Sequence, residues 1–197
     1  MEIYITTGLV IFAYLFGSIS SAILICRLTG APDPRTTGSK NPGATNVLRS
    51  AGKIAALCTL VGDALKGFLP IQLGLYLQVP AWALALTAIA AFLGHLFPLY
   101  FRFKGGKGVA TFFGCIYALN WLLGLITTVI WLVTAMSFRY SSLAAIIAIG
   151  SVPILSFFLT PLSIFLALLL MSLILLYRHR DNMKRLKEGK ENKINFN

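Results

Sequence analysis

Apolar stretches of 18 or more residues recur along this chain, and no other feature constrains its fold as tightly. A water-soluble domain of this size has no core large enough to hide them, whereas each is about what one helix needs to cross a hydrocarbon layer of about 30 Å. Of the residues, 57% are hydrophobic and only 12% are charged, about half the charge of an ordinary soluble domain. That balance excludes both a soluble globule and a disordered chain. The sequence predicts an all-α, polytopic membrane protein.

Residues 3 to 28 form the first predicted span, about 39 Å at 1.5 Å per residue, long enough to tilt. Met1-Glu2-Ile3 carries no basic n-region and no A-x-A pattern marks the far end at Arg27, so the segment is expected to stay attached. Residues 29 to 53 hold three Pro and four Gly and predict a compact polar turn. Spans at 54 to 77 and 82 to 101 follow, then a basic loop at 102 to 108. Residues 109 to 138 form an apolar segment of 30 residues, followed by 139 to 142, apolar stretches at 143 to 159 and 161 to 177, and a basic tail at 178 to 197.

The long segment decides the topology. A hairpin around Asn120-Trp121, with short arms 109–119 and 122–138, gives seven spans and puts loops 29–53, 102–108 and 139–142 and the tail on one side, with every Lys and Arg but Lys66 in or next to it. One continuous helix gives six spans and sets Arg139 and the seven Lys and Arg of the tail against the other two loops. The positive-inside tendency therefore predicts seven spans, the N-terminus outside and the C-terminus cytoplasmic, in one integral membrane domain over 1–197. It also accounts for the net charge of +11, and since no recognition motif accompanies that charge, no nucleic-acid partner is expected.

Chemistry is sought in polar groups that a membrane fold has no reason to keep. The segment Gly38-Ser39-Lys40-Asn41-Pro42-Gly43-Ala44-Thr45-Asn46-Val47-Leu48-Arg49 reads either as a solvated loop or as a turn whose N–H groups surround an anion. Lys104-Gly105-Gly106-Lys107-Gly108 leads into a helix at Val109; glycines permit close backbone approach, and a helix start and two lysines favour a phosphate. The alternative is a flexible basic loop. The tail segment Arg178 to Glu191 either binds anionic headgroups or turns His179 and Asn182, three apart, back over the loops. His95 is read as a packed residue rather than a base, and Asp63 and Lys66 as an ion pair on one helix face, functional or structural.

Absences narrow the chemistry. No H-x-x-x-x-D dyad, G-x-S-x-G elbow or Walker A loop is present, and Asp33, Asp63 and Asp181 lie too far apart to array a metal ion. Cys26, Cys58 and Cys115 sit in apolar stretches without C-x-x-C spacing. Neither a metal site nor a cofactor is expected.

GSKNPGATNVLR, GHLFPLYFRFKGGKGVAT and HRDNMKRLKEGKE resemble, in order and spacing, the three cytoplasmic motifs of the bacterial acyl-phosphate-dependent glycerol-3-phosphate acyltransferases, and Asp63-Ala64-Leu65-Lys66-Gly67 resembles their D-x-x-K-G element. The resemblance covers essentially the whole chain. It implies transfer of a fatty acyl group from acyl phosphate to the 1-hydroxyl of sn-glycerol 3-phosphate in the bacterial inner membrane, with the active site facing the cytoplasm. Backbone groups of Gly43, Ala44, Gly105, Gly106 and Gly108, with Ser39, Thr45 and Asn46, would then hold the donor. Arg49, Lys104 and Lys107 would bind charged oxygens, and Ser142, His179 and Asn182 would close over glycerol 3-phosphate. Either His179 or the donor phosphate would take the hydroxyl proton. The alternative is a transporter of a phosphorylated metabolite using the same basic loops.

Overall fold

The computed structural model describes residues 2–194, so Met1 and the last three residues of the predicted tail lie outside the described residues. All regular structure among these residues is helical. The chain divides into two compact units, the first ending at Leu119 and the second beginning at Asn120.

The first unit holds α1 (Glu2–Gly17), α2 (Ser21–Leu28), α3 (Ala44–Tyr76), α4 (Ala81–Leu96) and α5 (Val109–Leu119), with a short 3₁₀ turn at Leu99–Phe101. The predicted span at 3 to 28 is broken, since α1 and α2 meet at a bend of 41° across residues 18–20. A break inside an apolar layer leaves carbonyls without helical partners, and such groups must be satisfied by protein. Here Lys66 Nζ donates to the Ile19 carbonyl at 2.7 Å while pairing with Asp63 Oδ1 at 2.9 Å. Both side chains are under 5% exposed, so the pair predicted from the sequence forms and acts as a polar brace for the broken helix.

Helices in lipid gain little from apolar burial against one another and associate through close backbone packing. A Cβ on Gly17 of α1 would strike the Ala91 backbone of α4; one on Gly67 of α3 would strike the Thr111 carbonyl of α5, and one on Gly114 of α5 the Ala64 carbonyl of α3. Phe92 and Phe112 fill the space beneath, fully buried and 6.3 Å apart. Two buried hydroxyls are satisfied locally, Thr59 and Thr87 donating to the carbonyls of Ala55 and Ala83 at 2.8 Å.

The second unit holds α6 (Trp121–Phe138), α7 (Ser141–Leu159), α8 (Leu162–Arg178) and α9 (Arg180–Lys187). Its core is aliphatic, with Leu123, Ile149, Leu168, Met171 and Leu175 fully buried. The apolar segment 109–138 is not one helix. Asn120 is extended, accepts the Leu123 N–H on Oδ1 at 2.9 Å as the cap of α6, and donates to the Leu159 carbonyl at 3.0 Å.

Among the described residues, four helices are long and apolar enough to cross a membrane, α4 being counted through Phe101, and counting the bent pairs α1–α2 and α8–α9 raises the number to six. The predicted seventh span corresponds to α5, whose 11 residues reach only about 16 Å.

Candidate active site

In the first unit, residues 33–46 are organised by two short side chains. Asp33 accepts the Arg35 N–H on Oδ1 at 2.9 Å and pairs with its guanidinium at 2.7 Å. Those hydrogen bonds from Arg35 hold the Asp33 carboxyl below its ordinary range against the opposing effect of burial. Asn46 is buried and reaches back to the same turn. Its Nδ2 donates to the carbonyls of Pro34 (2.7 Å) and Thr37 (3.1 Å), and its Oδ1 accepts the Ser39 N–H (3.1 Å).

This geometry corrects one expectation and places two more of the residues. The predicted polar turn over 29–53 ends early, because α3 begins at Ala44; Ala44, Thr45, Asn46 and Arg49 are helical, with a break at Gly52 (φ 83°). Asn46, expected to meet the substrate, has its amide tied to the turn by three hydrogen bonds. The Gly43 N–H, expected to face an anion, donates to the Asn41 carbonyl at 3.0 Å. Ser39, Thr45 and Arg49 remain exposed at the surface of this segment.

The glycine loop packs on the end of α4. Gly106 N–H, expected to face the donor phosphate, lies 3.3 Å from the His95 carbonyl and donates to it in this structure. A Cβ on Gly106 would strike His95 Nε2 and come within 2.8 Å of the Pro42 carbonyl, while one on Gly105 would strike the His95 carbonyl. Gly108 adopts φ 96°, with Phe92 and Leu96 against it, and turns the chain directly into α5. Two of the sequence clusters therefore meet here, Pro42 of the first against Gly106 of the second. Lys104 is exposed and Lys107 half-buried beside the start of α5. A loop that narrow, next to lysines and the positive end of a helix, is suited to oxyanions.

In the second unit the predicted residues gather around one that the sequence did not mark. Glu191 Oε1 accepts from Ser142 Oγ at 2.8 Å and from Asn182 Nδ2 at 2.7 Å, and Oε2 accepts from Arg185 Nε at 2.6 Å. Burial pushes the Glu191 carboxyl up, but these three hydrogen bonds and the Arg185 charge outweigh it and hold it below the usual carboxylate range. Ser142 and Asn182 are thus both fixed by one carboxylate. Glu191 was visible only as an acid within a basic tail, because its partners stand 49, nine and six residues away. His179, 3% exposed, links α8 to α9, and its Nδ1 lies 2.8 Å from the Leu175 carbonyl. A carbonyl only accepts, so Nδ1 carries a proton in this contact.

A family model described as glycerol-3-phosphate acyltransferase matches residues 7–189, a range that takes in the residues above except Glu191. The chain belongs to this family. It is 52% identical over 187 residues to the glycerol-3-phosphate acyltransferase of Proteus mirabilis, an alignment covering 95% of this chain and 85% of that one. The relative of the same name from Legionella pneumophila is 49% identical, covering 95% of this chain and 68% of the other. A crystal structure of PlsY, an integral membrane glycerol 3-phosphate acyltransferase, in its glycerol 3-phosphate form has a TM-score of 0.93 and 38% identity, covering 96% of each chain. The lysophosphatidic acid form has a TM-score of 0.88 and 36% identity. Family membership makes this chain an acyltransferase built of apolar helices, an enzyme of phospholipid synthesis, and does not favour the transporter alternative.

Proposed function

We propose that this acyltransferase moves a fatty acyl group from acyl phosphate to the 1-hydroxyl of sn-glycerol 3-phosphate, releasing lysophosphatidic acid and inorganic phosphate. The observation that carries the reading is the narrow glycine loop entering α5 between Lys104 and Lys107, against the carbonyl of Pro42. Cations and backbone amides there match a donor whose activating group is itself a phosphate.

In the first unit, Ala44, Gly105 and Gly108 with Ser39 and Thr45 hold the donor, and Arg49, Lys104 and Lys107 neutralise phosphate oxygens. In the second, Ser142, His179 and Asn182 hold glycerol 3-phosphate. The glycerol hydroxyl oxygen attacks the acyl carbonyl carbon. A tetrahedral oxyanion forms, the bond from carbon to the phosphate oxygen breaks, and phosphate leaves with the bonding pair. The hydroxyl proton passes to the phosphate or to His179 Nε2. Acyl phosphate is already a mixed anhydride, so no acyl-enzyme is required.

The charge asymmetry supports seven spans in a single domain of the bacterial inner membrane, N-terminus outside, with all basic loops and the tail cytoplasmic. Purified protein given acyl phosphate and glycerol 3-phosphate is expected to form lysophosphatidic acid in the presence of a chelator. Equal turnover with acyl-CoA would overturn the donor assignment. A cysteine at Asn120 is expected to label from outside the cell and cysteines at Ser39, Ser141 and Asn192 are not; outside labelling of the last two would support six spans.

A further inference from the structure

Between the buried ion pair and the glycine loop stands His95. Its ring is 6% exposed, with Nδ1 3.7 Å from Asp63 Oδ1, within ion–dipole range though beyond a hydrogen bond. The opposite ring nitrogen, Nε2, abuts Gly106, and the His95 carbonyl accepts the Gly106 N–H at 3.3 Å. Asp63 itself cannot turn away, because Lys66 holds the same oxygen at 2.9 Å and is anchored in turn on the Ile19 carbonyl. A carboxylate in an apolar interior orients a neighbouring imidazole strongly, since little solvent screens the field. The ring also has nowhere to rotate, with Asp63 on one side and the loop backbone on the other.

We propose that Asp63, braced by Lys66, is a positioning residue for catalysis: it orients His95, and through His95 it sets the backbone of Gly105 and Gly106 in the conformation that binds the donor phosphate. This inference rests on the glycine loop being the donor site proposed above. The intramembrane pair then has a role beyond closing the break between α1 and α2, and His95 acts as a spacer rather than a base.

The test compares Asp63→Asn, His95→Gln and the double variant in purified, monodisperse protein. Two readouts are taken: kcat/KM for acyl phosphate, and amide hydrogen exchange over residues 102–108. Each single change is expected to lower kcat/KM by roughly 10–10²-fold, as small misplacements of binding groups do. The double variant should be no slower than the slower single one, because both act through one ring. Exchange should rise over 102–108 in all three and stay unchanged across α6 to α8. Folded Asp63→Asn with wild-type turnover and exchange, or losses that multiply in the double variant, would overturn the proposal. If Asp63→Asn does not fold, Asp63→Asn/Lys66→Met removes both charges and takes its place; failure of that variant as well would make the pair a folding element and end the proposal. Should wild-type protein not use acyl phosphate, the functional reading fails while the exchange comparison still decides whether Asp63 and His95 position the loop.

Discussion

The two units organise their candidate residues by different kinds of chemistry. In the first, what holds the candidate residues is mostly backbone, and glycines are required because carbonyls of His95 and Pro42 leave no room for a Cβ. In the second it is side chains, with Ser142, Asn182 and Arg185 donating to the single carboxylate of Glu191. A backbone cradle is rigid but intolerant, since any side chain intrudes. A carboxylate hub tolerates conservative change, yet losing the hub orphans several donors together. The difference predicts that damage in the first unit shows as lost turnover in a folded protein, and in the second as lost substrate affinity and local order.

The sharpest way to break this comparison is Gly106→Ala. The added methyl meets His95 Nε2 and the Pro42 carbonyl, and turnover is expected to fall by roughly 10²–10³-fold, the scale of losing an oxyanion-stabilising group. Near wild-type kcat in folded Gly106→Ala would show the loop to be a connector. Next in size is Glu191→Ala, which strips three donors of their acceptor; kcat/KM should drop about tenfold or more, chiefly through KM for glycerol 3-phosphate. An unchanged KM would detach the hub from the substrate.

His179→Ala separates binding from base catalysis. Its Nδ1 is oriented by the Leu175 carbonyl and not by a carboxylate, so the expected result is a raised KM with kcat within about tenfold of wild type. A kcat loss of roughly 10²–10⁴-fold with KM unchanged would assign the proton to His179. The smallest effect is Asn46→Ala, whose three hydrogen bonds hold the turn of the first unit; thermal unfolding should report a loss of about 1–3 kcal/mol.

Acid tests the hub without mutation. Glu191 has a lowered pKa in the folded state, so its stabilising contacts are complete above the ordinary carboxylate pKa and are lost as pH falls through the folded value. Amide exchange in the tail is therefore expected to stay slow at pH 5 and to quicken only below about pH 4. Quickening already near pH 6 would mean that the hub does not hold a carboxylate.

Much of the glycine loop was legible because its constraint is local. Three glycines in five residues, set among lysines at the start of a helix, favour close approach of an anion to the backbone whatever the rest of the chain does. What the sequence could not show was the direction of particular amides. Gly43 and Gly106 donate to Asn41 and His95 rather than outward, and Asn46 is a clamp on the turn. Those roles depend on which carbonyls the fold brings within 3 Å or so, and no residue type announces that.

By itself the sequence determined that the chain is helical and made for lipid, because hydrophobicity over 18 residues is summed along the chain and needs no partner. It also determined where glycines and cations cluster and, through three ordered motifs, the family. Tertiary structure alone decided that the first span breaks at residues 18–20 and that Lys66 braces the break. It likewise decided that His95 stands between Asp63 and Gly106, and that Glu191 collects Ser142, Asn182 and Arg185. The physical reason is the same in each case. A buried polar group must find its partner in space, and that partner is chosen by how the helices pack rather than by its distance along the chain.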